Sequence, residues 1–181
     1  YAFDPAQYRA QVLLRLMSEP VDPGSHYLLV SLLTWGTAPD TVLPHLRVWL
    51  ARNDRFFKAS FVYRSWLNAK GEKGTVKDHV ARWLEEHETK PEAQFVCSSW
   101  LDAKGDKDLV KDHVAQWLKD HATKPEARFV YSSWLDAGGD FGMVQDYIPQ
   151  WLDDHGAKPE ARFVYKSWLD GLGALGALDA E

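Results

Sequence analysis

Apolar positions return along this chain on a beat of 17 residues, and a tryptophan marks each beat. Trp49, Trp66, Trp83, Trp100, Trp117, Trp134, Trp151 and Trp168 are evenly spaced, and a leucine follows every one. Alternate members differ in their surroundings, so the true repeat is 34 residues built from two unlike halves. The first half reads Phe-Val-Tyr/Cys-x-Ser-Trp-Leu and opens at Phe61, Phe95, Phe129 and Phe163. The second reads Val-x-Asp-His/Tyr-Val/Ile-x-x-Trp-Leu and opens at Val76, Val110 and Val144. In the second half Val110, Val114, Trp117 and Leu118 fall at i, i+4, i+7 and i+8, one face of a helix. The first half is apolar over more of its girth (Phe95, Val96, Cys97, Trp100, Leu101), which predicts the more buried helix. A period between 20 and 50 residues marks a helical array, so the pattern predicts an all-α solenoid of stacked antiparallel helix pairs, about ten helices in all.

Taken in order, the chain predicts a first helix from Asp4 through Ser18, with Asp4 as its cap, Pro5 in its first turn and Tyr8, Val12 and Leu16 on one face. A break at Glu19 to Gly24 follows, then a helix from about Ser25 to Trp35 ended by Gly36, then one capped by Asp40 or Thr41. First-half helices are expected near 56–69, 91–103, 125–137 and 159–170, three of them starting on Pro91, Pro125 and Pro159 as first-turn prolines. Gly71, Gly105, Gly139 and Gly173 share one phase and read as left-handed helix stops. Second-half helices are expected near 74–87, 108–121 and 142–155, and Pro149 predicts a kink or hinge inside the last. Residues 1–54 read as degenerate N-terminal repeats, 55–170 as regular repeats and 171–181 as a tail, all within one helical-repeat domain. The chain opens on Tyr1, which we read as the edge of a piece cut from a longer protein.

Composition narrows the function. With 21 Lys+Arg against 26 Asp+Glu the net charge is −5, which disfavours an electrostatic grip on nucleic acid. The single cysteine, Cys97, excludes an internal disulfide framework and reads as a core substitution for Tyr131 and Tyr165 in a reducing, cytoplasmic setting. No apolar run has the length of a membrane span. Seven histidines invite a metal reading, but His87, His121 and His155 lie in successive repeats and their spacing does not gather ligands round one ion. No nucleophile elbow, Walker loop or dinucleotide fingerprint occurs, so neither enzyme activity nor a cofactor is expected. Ser65, Ser99, Ser133 and Ser167 keep one small size and read as packing positions.

A 34-residue helical hairpin resembles the tetratricopeptide repeat. Cys97, Tyr131 and Tyr165, six residues after their prolines, fall where that family favours a bulky aromatic. Trp117 and Trp151 fall on another of its aromatic positions. Leu101 and Leu135 depart from its small residue in the first helix, and His113, Tyr147, Asp120 and Asp154 from its alanines in the second. The resemblance implies a right-handed α-solenoid that binds partners. The expected role is a protein–protein interaction or sensing scaffold within a larger signalling or regulatory protein; the alternative is a structural array that self-associates through open solenoid ends. Reading of single-stranded nucleic acid, one base per repeat, is a third class that the charge disfavours. Positions that vary between copies are free to recognise a partner. They are Arg64, Gln94, Ser98, Arg128, Ser132, Arg162 and Lys166 along the first-half helices, with Asn68, Asp102 and Asp136 at their ends. Their i, i+4, i+8 spacing predicts a polar, locally basic ladder for another protein or peptide segment, acidic in character.

Overall fold

A computed structural model describes residues 5–178. The proposed cap Asp4 and the last three residues of the tail lie outside them. The described residues form ten α-helices, and their contacts divide the chain into two compact units, Tyr1–His87 and Glu88–Glu181. The first unit holds α1 (Pro5–Ser18), α2 (His26–Thr34), α3 (Pro39–Asn53), α4 (Ala59–Asn68) and α5 (Lys73–His87). The second holds α6 (Ala93–Asp102), α7 (Lys111–His121), α8 (Ala127–Asp136), α9 (Tyr147–His155) and α10 (Ala161–Leu178). First-half helices lie against one another, α2 on α4 in the first unit and α6 on α8 on α10 in the second. Second-half helices pack beside them: α3 on α2, α5 on α4, α7 on α6 and α8, α9 on α10. No helix among the described residues is long and apolar enough to cross a membrane.

The tryptophans are the core, and each half-repeat uses its indole differently. Trp49, Trp83, Trp117 and Trp151 are fully buried and donate their N–H backwards, to the carbonyls of Asp22, Phe56, Lys90 and Lys124 at 2.8–3.1 Å. Trp66, Trp100 and Trp134 donate forwards, to the carbonyls of Glu72, Asp106 and Asp140 at 2.8–2.9 Å. Each indole thus buries a large apolar surface, and its N–H finds its partner in a loop carbonyl that also closes a turn through a backbone N–H. His87 and His121 stack on the tryptophan four residues before them, ring centroids 4.5 and 4.4 Å apart, with Nδ1 3.0 Å from its carbonyl. The periodic histidines therefore extend the aromatic core at the last residue of their helices.

Several local expectations change. The first-half helices start at Ala93, Ala127 and Ala161, two residues later than read. Pro91 and Pro125 instead sit second in a turn closed by Ala93 N–H to Lys90 and Ala127 N–H to Lys124, a place where proline's preset φ fits. Asp40 and Thr41 cap nothing: α3 starts at Pro39 and its N-cap residue is Ala38. Gly36 (φ 75°) ends α2 in the left-handed conformation, as expected, whereas the later left-handed stops are Lys70, Lys104 and Gly138 (φ 64°, 58° and 68°), one residue before the glycines at the shared phase. Gly71, Gly105 and Gly139 follow, each bonded back to the carbonyl of the helix's own tryptophan at 2.9 Å. Their need for glycine is spatial. A Cβ on any of them would lie 2.2–2.3 Å from Cε2 of Trp66, Trp100 or Trp134.

Gly173 stops nothing, because α10 runs through it to Leu178. At the left-handed position this copy carries Leu172, for which that conformation is costly, and the Leu/Ala-rich stretch favours helix. With no turn following, the buried Nε1 of Trp168 has no hydrogen-bond partner among the described residues. Pro149 is not in a helix interior either. The helix recedes to begin at Tyr147, so Pro149 lies in its first turn, where a backbone donor has no intrahelical acceptor. Ile148 and Trp151 are as buried as their counterparts.

In the first unit Asp54, at the end of α3, accepts from Arg82 Nε at 2.9 Å and lies 3.0 Å from His79 Nδ1, both on α5. Burial alone would push its carboxyl up, but the hydrogen bonds from His79 and Arg82 outweigh it and hold the pKa below the ordinary 3.8. A depressed folded value gives stability that is complete above the ordinary value and lost as pH falls through the folded one. Asp54→Asn should therefore flatten the acid limb of urea-unfolding stability measured between about pH 2 and 5. An acid limb as steep as in the wild type would remove Asp54 from this role.

Candidate partner-binding groove

The site lies wholly in the second unit, along the seam where α8 meets α10. Phe129 and Phe163 stand near the starts of these helices and are 44% and 53% exposed, unusual for large apolar side chains at repeated positions. Each carries a guanidinium beside its ring: Arg128 lies 4.4 Å from the Phe129 centroid and Arg162 4.7 Å from that of Phe163. Between the helices runs a groove of about 430 Å³, lined by both phenylalanines, Arg128, Ser132, Ser133, Lys166 and Ser167, with Asp102, Asp136 and Glu160 at its margins. A second hollow of about 810 Å³ shares Asp136, Lys166 and Ser167 with it and continues past Gly138, Gly139, Asp140 and Gly142 to Asp170 and Gly171. Apolar walls with a few convergent polar groups are what a binding site needs.

Of the ten residues predicted to recognise a partner, five are brought together here: Asp102, Arg128, Ser132, Asp136 and Lys166. Arg162 is exposed on α10 but outside the lining. Arg64 and Asn68 are exposed on α4, in the other unit. Gln94 and Ser98 do not present themselves at all, being 5% and 8% exposed. Variation between copies marked them as surface, yet a small or uncharged side chain also varies without harm in a buried place.

Phe129, Phe163 and Glu160 were missed, the phenylalanines because their recurrence in every copy reads as core. The signal was present: four and seven residues after each phenylalanine come a serine and then Asn68, Asp102, Asp136 or Asp170, which puts the ring on a polar row. The wider apolar girth expected of the first-half helices does not extend to this row, where Phe61, Phe129 and Phe163 are exposed.

Lys166 donates to Asp170 Oδ2 at 2.7 Å, and that bond raises its pKa. Cys97, set among buried neighbours on α6, has its thiol pushed up to about 12 by burial and offers no reactive thiolate. Ser99, Ser133 and Ser167 are buried, as packing positions should be.

No family model, curated protein or solved structure matches this chain. The groove is therefore read from its own residues.

Proposed function

We propose that the chain is a tetratricopeptide-like α-solenoid that serves as a protein–protein interaction scaffold, and that the groove between α8 and α10 receives a segment of its partner. The observation that carries this reading is the meeting of five copy-variable polar residues with two exposed phenylalanines in one groove. Aromatic anchors at the centre and polar residues at the rim are the anatomy of a specific interface. The role is binding, not catalysis, in a reducing compartment where Cys97 stays a buried thiol.

Selection from a displayed library of random peptides, followed by calorimetry on the full chain, tests it. Enriched peptides should bind in about the micromolar range. Changing Phe129 and Phe163 together to serine should weaken them at least about tenfold, with a smaller change in melting temperature than a core change gives, because both residues are about half exposed. Selection that yields no shared sequence pattern, or peptides indifferent to the double change, would refute the groove.

Self-association is a second reading with its own observation. Tyr131 is fully buried, whereas its counterpart Tyr165 is 39% exposed, and Leu169 and Leu172 are exposed beside it on α10. An uncovered apolar face of this kind suits a further helix. Sedimentation that shows only the monomer mass at all concentrations would dismiss this reading.

A further inference from the structure

We infer that the partner segment is basic, carrying an apolar anchor with lysine or arginine about three residues away; this rests on the groove reading above. The apolar part follows from Phe129 and Phe163. Charge complementarity decides the rest, because the two connected hollows set five carboxylates (Asp102, Asp136, Asp140, Glu160, Asp170) against two cations (Arg128, Lys166). Both cations are already engaged, Arg128 over the Phe129 ring and Lys166 on Asp170. Asp102, Asp136, Asp140 and Glu160 make no ion pair among the described residues. The basic ladder expected from the sequence thus becomes, in its surroundings, an acidic channel, and an acidic partner would meet repulsion.

Two of these carboxylates occupy places that stability does not favour. Asp102 and Asp136 are the last residues of α6 and α8, where the helix dipole disfavours negative charge. Asp102 has no ion-pair partner among the described residues, and Asp136 is reached only by Lys166, which Asp170 holds at 2.7 Å; a local rule broken with so little compensation points to a use outside the fold.

Geometry sets the register. Seven helical residues separate Phe129 from Asp136, about 10 Å along the axis. Extended chain covers that distance in about three residues. Ser132 lies between them in the lining.

The test uses three labelled synthetic peptide mixtures of equal length, each with a fixed leucine or phenylalanine anchor. They carry, three and four residues on, Lys/Arg, Asp/Glu or Ser/Gly. Fluorescence anisotropy with the full chain at low salt should rank the basic mixture at least about tenfold above the acidic one, with the gap closing as salt rises. Asp136→Asn combined with Glu160→Gln should cost the basic mixture about fivefold or more and leave the neutral mixture unchanged. Equal binding of basic and neutral mixtures, or preference for the acidic one, overturns the charge inference while the groove stands, provided Phe129→Ser with Phe163→Ser still abolishes binding. Failure of all three mixtures, or binding indifferent to the phenylalanines, overturns the inference and the groove together.

Discussion

Trp117→Ala will cost the second unit about 3–5 kcal/mol, the range for emptying a well-packed aromatic site. Trp117 is buried, its N–H holds the Lys90 carbonyl at 3.0 Å, and the His121 ring lies on it at 4.4 Å. An indole buries roughly 150–250 Å², which at about 25 cal/mol per Å² is roughly 4–6 kcal/mol of gross transfer free energy. Truncation gives up most of that and removes one of the two hydrogen bonds on the Lys90 carbonyl, which keeps the Ala93 N–H at 3.0 Å. For a unit of this size the melting temperature should fall by more than about 10 °C. Trp117→Phe keeps a six-membered ring in the site and loses the donor together with part of the packing, for about 1–3 kcal/mol. Urea unfolding followed by far-ultraviolet circular dichroism measures both. A loss below about 1 kcal/mol for the alanine variant would show that α7 is not held through this side chain.

The second large effect separates two neighbouring glycines. Gly139→Ala would place a methyl group 2.2 Å from Cε2 of Trp134, closer than carbon atoms approach. The indole has no free direction to yield, because its N–H is committed to the Asp140 carbonyl at 2.9 Å. Either the turn opens or the ring leaves its site, so the cost should reach about 2–3 kcal/mol or more. Gly138→Lys should cost less, about 1–2 kcal/mol for a non-glycine residue in the left-handed region. Nothing lies within 4 Å of a Cβ there, and the sibling copies already carry Lys70 and Lys104 in the same left-handed conformation. Thermal melts of the two variants side by side test the difference. Equal destabilisation would mean that backbone conformation, not the indole, selects the glycine.

That pair also shows where the sequence is transparent and where it is not. Tryptophans at constant spacing expose the helices, their number and their apolar stripes, because periodic burial leaves a periodic record. Val76, Val80, Trp83 and Leu84 are all buried, as their stripe requires. The same record places Gly139 at a helix end, but nothing in it tells which ring lies over which Cα, so the phase was right and the cause wrong. Phe129 fails in the opposite sense. It is invariant among the copies, which means core for most residues, yet its row is polar and its ring is exposed. Variation misled at Gln94 and Ser98, since it reports tolerance and not exposure. The groove itself is half legible: five polar residues are foreseen, Asp102 and Asp136 among them, and the rings and Glu160 join them only once α8 and α10 lie side by side.

The joints between half-repeats have a consequence for how such a chain grows. Indole donors end on main-chain oxygens of residues as unlike as Asp22, Phe56, Lys90 and Lys124 in one series, and Glu72, Asp106 and Asp140 in the other. A carbonyl is common property of all amino acids. A duplicated 34-residue segment therefore arrives with its fittings already compatible and needs no compensating substitution in its neighbours. Copy number can change in one genetic step, and loop sequences are left to drift toward new partners while the attachment points persist.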